Sequence, residues 1–171
     1  MKKKFKVGVI GLGVGERHLE AYIKFGCEVK KIYDINKDKM LKIKKKYPKI
    51  DFSKSENDLI NDKEIDAVYI ATPPDSHKYY ALKVAEAGKI CCIEKPMTPS
   101  FQDSLAVYEA FESKGLPLFV AYYRRSLPRF DQVNDWLKSN EIGVVRHITW
   151  QYSRKPSSID VGGKYSWRPD S

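Results

Sequence analysis

The sequence predicts an α/β protein: a doubly wound parallel sheet, followed by the truncated start of a second, mixed open-sheet α/β domain. Three observations carry this. Short apolar runs alternate with helix-like segments from Phe5 to Ala121. A glycine-rich stretch, Gly11-Leu12-Gly13-Val14-Gly15, links the first apolar run to the first helical one. The alternation changes character after Ala121. Strands separated by helices pair in parallel through right-handed crossovers, which leaves helices on both faces of the sheet.

Taken in order, Phe5 to Ile10 is a continuous apolar run suited to a strand buried on both faces. Glu16 to Lys24 follows with helical spacing at Leu19, Tyr22 and Ile23. Val29 to Tyr33 is the next strand, and the lysine-rich helix after it closes before Pro48, because the residue before proline disfavours helix. A short third strand is expected near Ile50 to Phe52. Ser55 with Asp58 three residues on resembles a capping box for a helix through Ile60, and Asp66 to Ala71 is a strong strand. Asp75 or Ser76 is placed to cap a helix running to Ala87. Lys89 to Ile93 is the fifth strand, Ser100 with Asp103 caps a helix to Lys114, Gly115 stops it, and Leu118 to Ala121 is the sixth strand. Beyond a boundary at Tyr122, Leu127 to Asn140 reads as a helix with Phe130, Val133, Trp136 and Leu137 on one side. Val144 to Tyr152 alternates like a strand of a different sheet. The expected organisation is residues 1–121 as one domain and 122–171 as the incomplete start of another. One helix and one strand do not build an independent core, so self-association through that strand is one way to cover it.

Composition narrows the function classes. No apolar run approaches the ~20 residues of a membrane span, and the short run behind Met1-Lys2-Lys3-Lys4 lacks the length and cleavage site of a signal peptide. The expected setting is cytoplasmic. Cys27, Cys91 and Cys92 have no metal-ligand spacing, and vicinal cysteines rarely form an unstrained disulfide, so reduced thiols and no metal are expected. The net charge of +9 raises a nucleic-acid role. Its distribution argues against one, because lysines at 37, 39, 42, 44, 45 and 46 surround Met40, Leu41 and Ile43 in the manner of an amphipathic helix with a solvated face.

Two strand-end loops carry the chemistry. A dinucleotide site needs glycines for a tight turn and for close backbone approach to the pyrophosphate, which sits against the amides of the following helix. Gly11 and Gly13 fill those roles. The third glycine is expected five positions after the first, where Glu16 stands; Gly15 lies one position earlier. Asp34 follows about twenty residues on, at the end of the second strand, where a carboxylate accepts from the adenosine ribose and repels a 2'-phosphate. NAD is therefore favoured, with Lys37 and Lys39 close enough to keep NADP open. Ala71-Thr72-Pro73-Pro74-Asp75-Ser76-His77 and Glu94-Lys95-Pro96 leave the fourth and fifth strands, so they line the same crevice. By themselves, Pro-Pro-Asp is a turn and His77 a capping or surface residue. A lysine at a cleft orients a hydroxyl or carbonyl and assists proton movement.

The series Gly-Leu-Gly-Val-Gly-Glu-Arg-His-Leu-Glu-Ala-Tyr, Asp34, Ile-Ala-Thr-Pro-Pro-Asp-Ser-His and Glu-Ala-Gly-Lys-Ile-Cys-Cys-Ile-Glu-Lys-Pro-Met resembles the glucose-fructose oxidoreductase, inositol dehydrogenase and rhizopine-catabolism family (Gfo/Idh/MocA). Residues 121–130 resemble the family's crossover into its second domain, and Ile142 to Arg146 resembles the entry to that domain's first sheet strand. The resemblance implies a Rossmann domain and NAD(P)-dependent hydride transfer to or from a sugar, polyol or related hydroxy compound. It implies that Gly11, Leu12, Gly13, Val14 and Gly15 hold the pyrophosphate and Asp34 the adenosine ribose. Ala71, Thr72, Pro73 and His77 would lie on the nicotinamide side, and Glu94 and Lys95 at the nicotinamide ribose and substrate, with Lys95 as the reaction-centre residue. Arg124 or Arg125, of which Arg125 is assigned to the cofactor set, would reach cofactor or substrate, and Trp167-Arg168 resembles the segment before the family's glycine-rich substrate loop.

Family members usually continue into a Gly-Gly-Gly stretch and then an Asp and a His on one helix, the His serving as general acid/base. The sequence stops at Asp170-Ser171, and His147 is at the wrong place to substitute. Losing such a group commonly costs ~10²–10⁴ in rate. The expectation is a chain that binds NAD and is weak or inactive alone; the alternative is a non-catalytic NAD-binding module or subunit.

Overall fold

The computed structural model describes residues 4–151 and Ser153. The chain divides into two units, Met1–Ala121 and Tyr122–Ser171. The first unit holds a six-stranded sheet in which every pairing is parallel, in the order β3-β2-β1-β4-β5-β6. Its strands are β1 (Lys6–Ile10), β2 (Glu28–Tyr33), β3 (Asp51–Phe52), β4 (Ala67–Ile70), β5 (Ile90–Ile93) and β6 (Leu118–Val120). The reversal of order between β1 and β4 is the switch point at which doubly wound sheets open a crevice beyond the carboxyl ends of the strands.

The helices α1 (Gly15–Lys24), α2 (Lys37–Lys46), α3 (Glu56–Ile60), α4 (His77–Glu86) and α5 (Phe101–Glu112) connect them. Side chains on a strand alternate between faces, so each central strand feeds two cores. Val68 and Ile70 of β4 join Ile10, Leu59, Val84 and Phe111 in one cluster. Tyr69 and Ala71, one residue out of phase, join Val7, Val9, Leu19, Ile32 and Ile43 in the other. This two-sided burial is why β1 and β4 read as unbroken apolar runs.

Helix starts follow the expected side-chain chemistry with one exception. Ser55 accepts from the Asp58 amide at 3.1 Å and Ser100 from the Asp103 amide at 3.1 Å. Asn36, which was not marked as a cap by the sequence pattern, accepts from the Asp38 amide at 2.9 Å to open α2. Ser76 departs from expectation: its hydroxyl bonds Thr72 Oγ1 (2.7 Å) and Pro73 O (2.8 Å) instead of capping α4. The preceding Pro74–Ser76 forms a 3-10 turn, which places that hydroxyl back over the loop.

The lysines of α2 are partly committed within the fold. Lys42 pairs with Glu16 at 2.9 Å, Lys46 pairs with Glu20, and Lys44 donates to Ile50 O at 2.7 Å. The basic stripe therefore joins α2 to the acidic face of α1, which reduces the free positive surface offered to a polyanion.

The second unit contains a 3-10 turn (Tyr123–Ser126) and α6 (Pro128–Ser139), entered through Pro128 and closed by Asn140 in the left-handed conformation. The strand expected over Val144 to Tyr152 does not form among the described residues: 144–151 are exposed and unpaired, and Tyr152 lies outside the description. Alternation makes a strand only where a partner supplies the ladder of hydrogen bonds, and none of the described segments does so here.

Candidate functional site

The glycine loop sits at the carboxyl end of β1, directly over the switch point. Gly11 has φ +87°, and a Cβ there would lie 2.6 Å from the carbonyl carbon and oxygen of Ala71 and 2.8 Å from the Thr72 amide nitrogen. Only glycine fits both the conformation and the contact. Gly13 is exposed, and a Cβ there would meet nothing within 4 Å, leaving open space of the kind a ligand's phosphates would fill. At Gly15 a Cβ would approach Ala71 Cβ at 3.2 Å and Val9 Cγ1 at 3.3 Å. Gly15 thus performs the close helix-to-strand packing expected of the third glycine, in a loop one residue shorter than the usual spacing. Glu16 is turned to Lys42 and leaves that role untouched. No side chain caps α1, so the positive end of its dipole is left to an anion.

Asp34 follows the last residue of β2 and is 7% exposed. Its Oδ2 accepts from the Leu12 amide at 2.7 Å and its Oδ1 from the Asn36 amide at 2.8 Å, with Lys39 Nζ 3.7 Å from Oδ2. The carboxylate therefore ties the glycine loop to β2. It stands between the loop and the start of α2, where an adenosine ribose would lie if the pyrophosphate occupied the loop.

Thr72 and Pro73 leave β4 immediately beside Gly11. His77, read from sequence as a surface or capping residue, is fully buried. Its Nε2 lies 2.8 Å from Thr72 O, and its Nδ1 lies 2.9 Å from Pro96 O and 3.2 Å from Met97 O. Carbonyl oxygens only accept, so whichever ring nitrogen carries a proton is the donor, and the ring lies between the loop after β4 and the loop after β5. The resemblance put His77 against the cofactor; its ring contacts here are with these two loops.

Glu94, 9% exposed, follows β5 and anchors a buried polar group. Its Oε1 accepts from the Tyr69 hydroxyl at 2.8 Å and lies 2.8 Å from His18 Nε2; its Oε2 accepts from the Lys95 amide at 3.1 Å. Burial, and then the Glu94 carboxylate, push the Tyr69 hydroxyl well above the usual phenol range, so it stays a neutral donor. The rings of His18 and Tyr69 stack at 4.4 Å, and Tyr22 meets Tyr69 edge-on at 5.8 Å. Burial raises the Cys92 thiol to about 11, which makes it a poor nucleophile. Lys95 is exposed. Among the described residues no group of three or more His, Cys, Asp or Glu side chains is arranged to hold a metal ion.

The structure thus gathers Gly11 to Gly15, Asp34, Ala71 to Pro73, His77, Glu94 and Lys95 at the carboxyl edge of one sheet. Arg124 and Arg125 belong to the 3-10 turn of the second unit, and Trp167-Arg168 lies outside the described residues. Sequence reasoning missed His18 and Tyr69. The available signal was a tyrosine inside an otherwise apolar buried strand, which requires a partner for its hydroxyl.

Residues 5–122 match a family model, GFO_IDH_MocA, described as an oxidoreductase family with an NAD-binding Rossmann fold. The chain is 36% identical over 134 residues to Oxidoreductase P35 of Formosa agariphila, covering 78% of this chain and 42% of that protein. It is 28% identical over 146 residues to scyllo-inositol 2-dehydrogenase (NAD(+)) of Bacillus subtilis, covering 84% of this chain and 43% of that one. Among solved structures, the WlbA dehydrogenase from Bordetella pertussis, in complex with NADH and UDP-GlcNAcA, superimposes with a TM-score of 0.77 at 25% identity, over 84% of this chain and 42% of that one. The chain spans less than half the length of these relatives.

Proposed function

The chain belongs to the GFO_IDH_MocA oxidoreductase family with its NAD-binding Rossmann fold, and from that membership we propose that it is the cofactor-binding part of an NAD(P)-dependent oxidoreductase acting on a sugar, polyol or related hydroxy compound. The observation that carries the reading is the meeting of three loops at one sheet edge: the tight turn at Gly11 against Ala71, the buried carboxylate of Asp34, and the Glu94-Lys95 exit of β5. The open space at Gly13 and the uncapped start of α1 fit a dinucleotide pyrophosphate. Such a cofactor, when bound, accepts or supplies the hydride.

The chain's own residues do the remainder. The loop amides and α1 hold the diphosphate, and Asp34 takes the adenosine ribose. The carboxylate favours NAD over NADP, because a 2'-phosphate would be brought against it. Lys95 would orient the substrate oxygen and hold its proton. Polyol substrates are supported by the inositol dehydrogenase relative. The second unit, residues 122–171, we take to be the start of a substrate domain. A cytoplasmic setting is supported by three free cysteines, and no helix among the described residues is long and apolar enough to cross a membrane.

Calorimetric titration with NADH and NADPH tests the reading: saturable NADH binding, with NADPH weaker, is expected, and binding of neither would overturn it. Where turnover of an inositol or aldose is measurable, Lys95→Ala is expected to lower kcat by ~10²-fold or more while NADH affinity changes little. NADH binding without turnover in any such assay would favour a non-catalytic module.

A further inference from the structure

The group around Glu94 is built more elaborately than a strand exit requires. Its Oε1 receives two donors, the Tyr69 hydroxyl and His18 Nε2, each at 2.8 Å, and its Oε2 receives the backbone amide of the adjacent Lys95 at 3.1 Å. These donors come from three elements: α1, β4 and the loop after β5. His18 itself is held in plane by stacking on Tyr69 at 4.4 Å and a 26° interplanar angle. A buried carboxylate with both oxygens occupied has little freedom, and a fixed carboxylate fixes the peptide that donates to it.

We propose that His18 is the positioning residue for Glu94 and Lys95: its ring, aligned by Tyr69, holds the Glu94 carboxylate, and Glu94 sets the Lys95 backbone at the nicotinamide end of the crevice. The placement follows from the strand order. With Asp34 over β2 and the pyrophosphate loop over β1, the far half of a dinucleotide extends across β4 and β5. Because His18 lies on the first helix after the glycine loop, it also joins the pyrophosphate grip to the reacting end of the site. The inference rests on the cofactor reading above.

The test separates the two ends of the ligand in the full chain. ADP reports the adenosine and pyrophosphate contacts alone; NADH adds the nicotinamide half, whose emission shifts when it is immobilised. His18→Phe keeps an aromatic ring for Tyr69 and removes the donor. It is expected to leave ADP affinity within about twofold and to weaken NADH by about tenfold, the order of one lost charge-assisted hydrogen bond. His18→Gln, which retains an N–H donor, is expected to recover most of that loss. Should His18→Phe fail to fold, Tyr69→Phe removes the other Oε1 donor and is expected to show the same split at smaller amplitude. Equal loss of ADP and NADH would make His18 a support of α1 only and overturn the inference, as would unchanged NADH affinity. A wild-type chain that binds neither ligand would overturn the cofactor reading and this inference together.

Discussion

The two units carry similar sequence patterns and make different use of them. In Met1–Ala121, helices with one apolar face pack on a sheet, and every buried hydrophobic residue of the described chain falls between Val7 and Phe111. In Tyr122–Ser171, α6 has an apolar side of the same kind, yet none of its residues is buried; Val133, Trp136 and Leu137 are each more than 40% exposed. Pattern specifies which face would be buried. Only a partner buries it, and most helix stability comes from that burial.

The contrast gives ordered expectations. The largest concerns Gly11, where Gly11→Val adds a branched side chain to a position at φ +87° with backbone atoms 2.6 Å from the new Cβ. A loss of about 3 kcal/mol or more is expected, read as a shift in the urea transition by circular dichroism, together with loss of NADH binding. All three tryptophans lie beyond residue 121. Their emission therefore reports the second unit, and a tryptophan transition that coincides with the dichroism transition would break the contrast.

Asp34→Ala comes next. It strands the Leu12 amide and removes the ribose acceptor, so NADH affinity should fall about tenfold or more in calorimetry, with the NADH-to-NADPH preference narrowing. An unchanged preference would show that the carboxylate does not read the ribose.

A smaller effect concerns acid. Lys30, and then Lys6, hold the Glu64 carboxyl down to about 2 from its usual 4.5. A depressed folded-state value means that the contribution is present above about 4.5 and is lost as pH falls from there toward 2. Urea midpoints of the wild type should decline across that window, and those of Glu64→Gln should decline less steeply. These three charges lie at the surface, so 0.5 M salt should shrink the difference.

The smallest effect is expected in the second unit. Trp136→Ala should move the dichroism transition by less than about 0.5 kcal/mol, as for other exposed substitutions. A larger shift would mean that α6 is covered by something in solution.

How legible the fold was from sequence follows the same division. The parallel order, the six strands and two of the caps could be read because each depends on a local pattern, such as a two-sided apolar run or a serine three residues before an aspartate. The strand over Val144 to Tyr152 could not, because pairing is a property of two segments. At the candidate site, the tight turn at Gly11 and the carboxylate at the end of β2, Asp34, were legible from spacing. The exchange of roles between Gly15 and Glu16 was not, since it depends on where α1 meets Ala71. His18 was missed for a related reason: it takes its partners from β4 and the exit of β5, distant in sequence, and a single histidine carries no record of them.

The contact between Gly11 and Ala71 also bears on what can be transplanted. The glycine turn is written in five consecutive letters, but its shape is a joint between two strands that lie about sixty positions apart. A strand-loop-helix fragment cut from the first thirty residues would keep the letters and lose the joint. A redesign that altered only the exit of β4 could disable the turn without touching a single glycine.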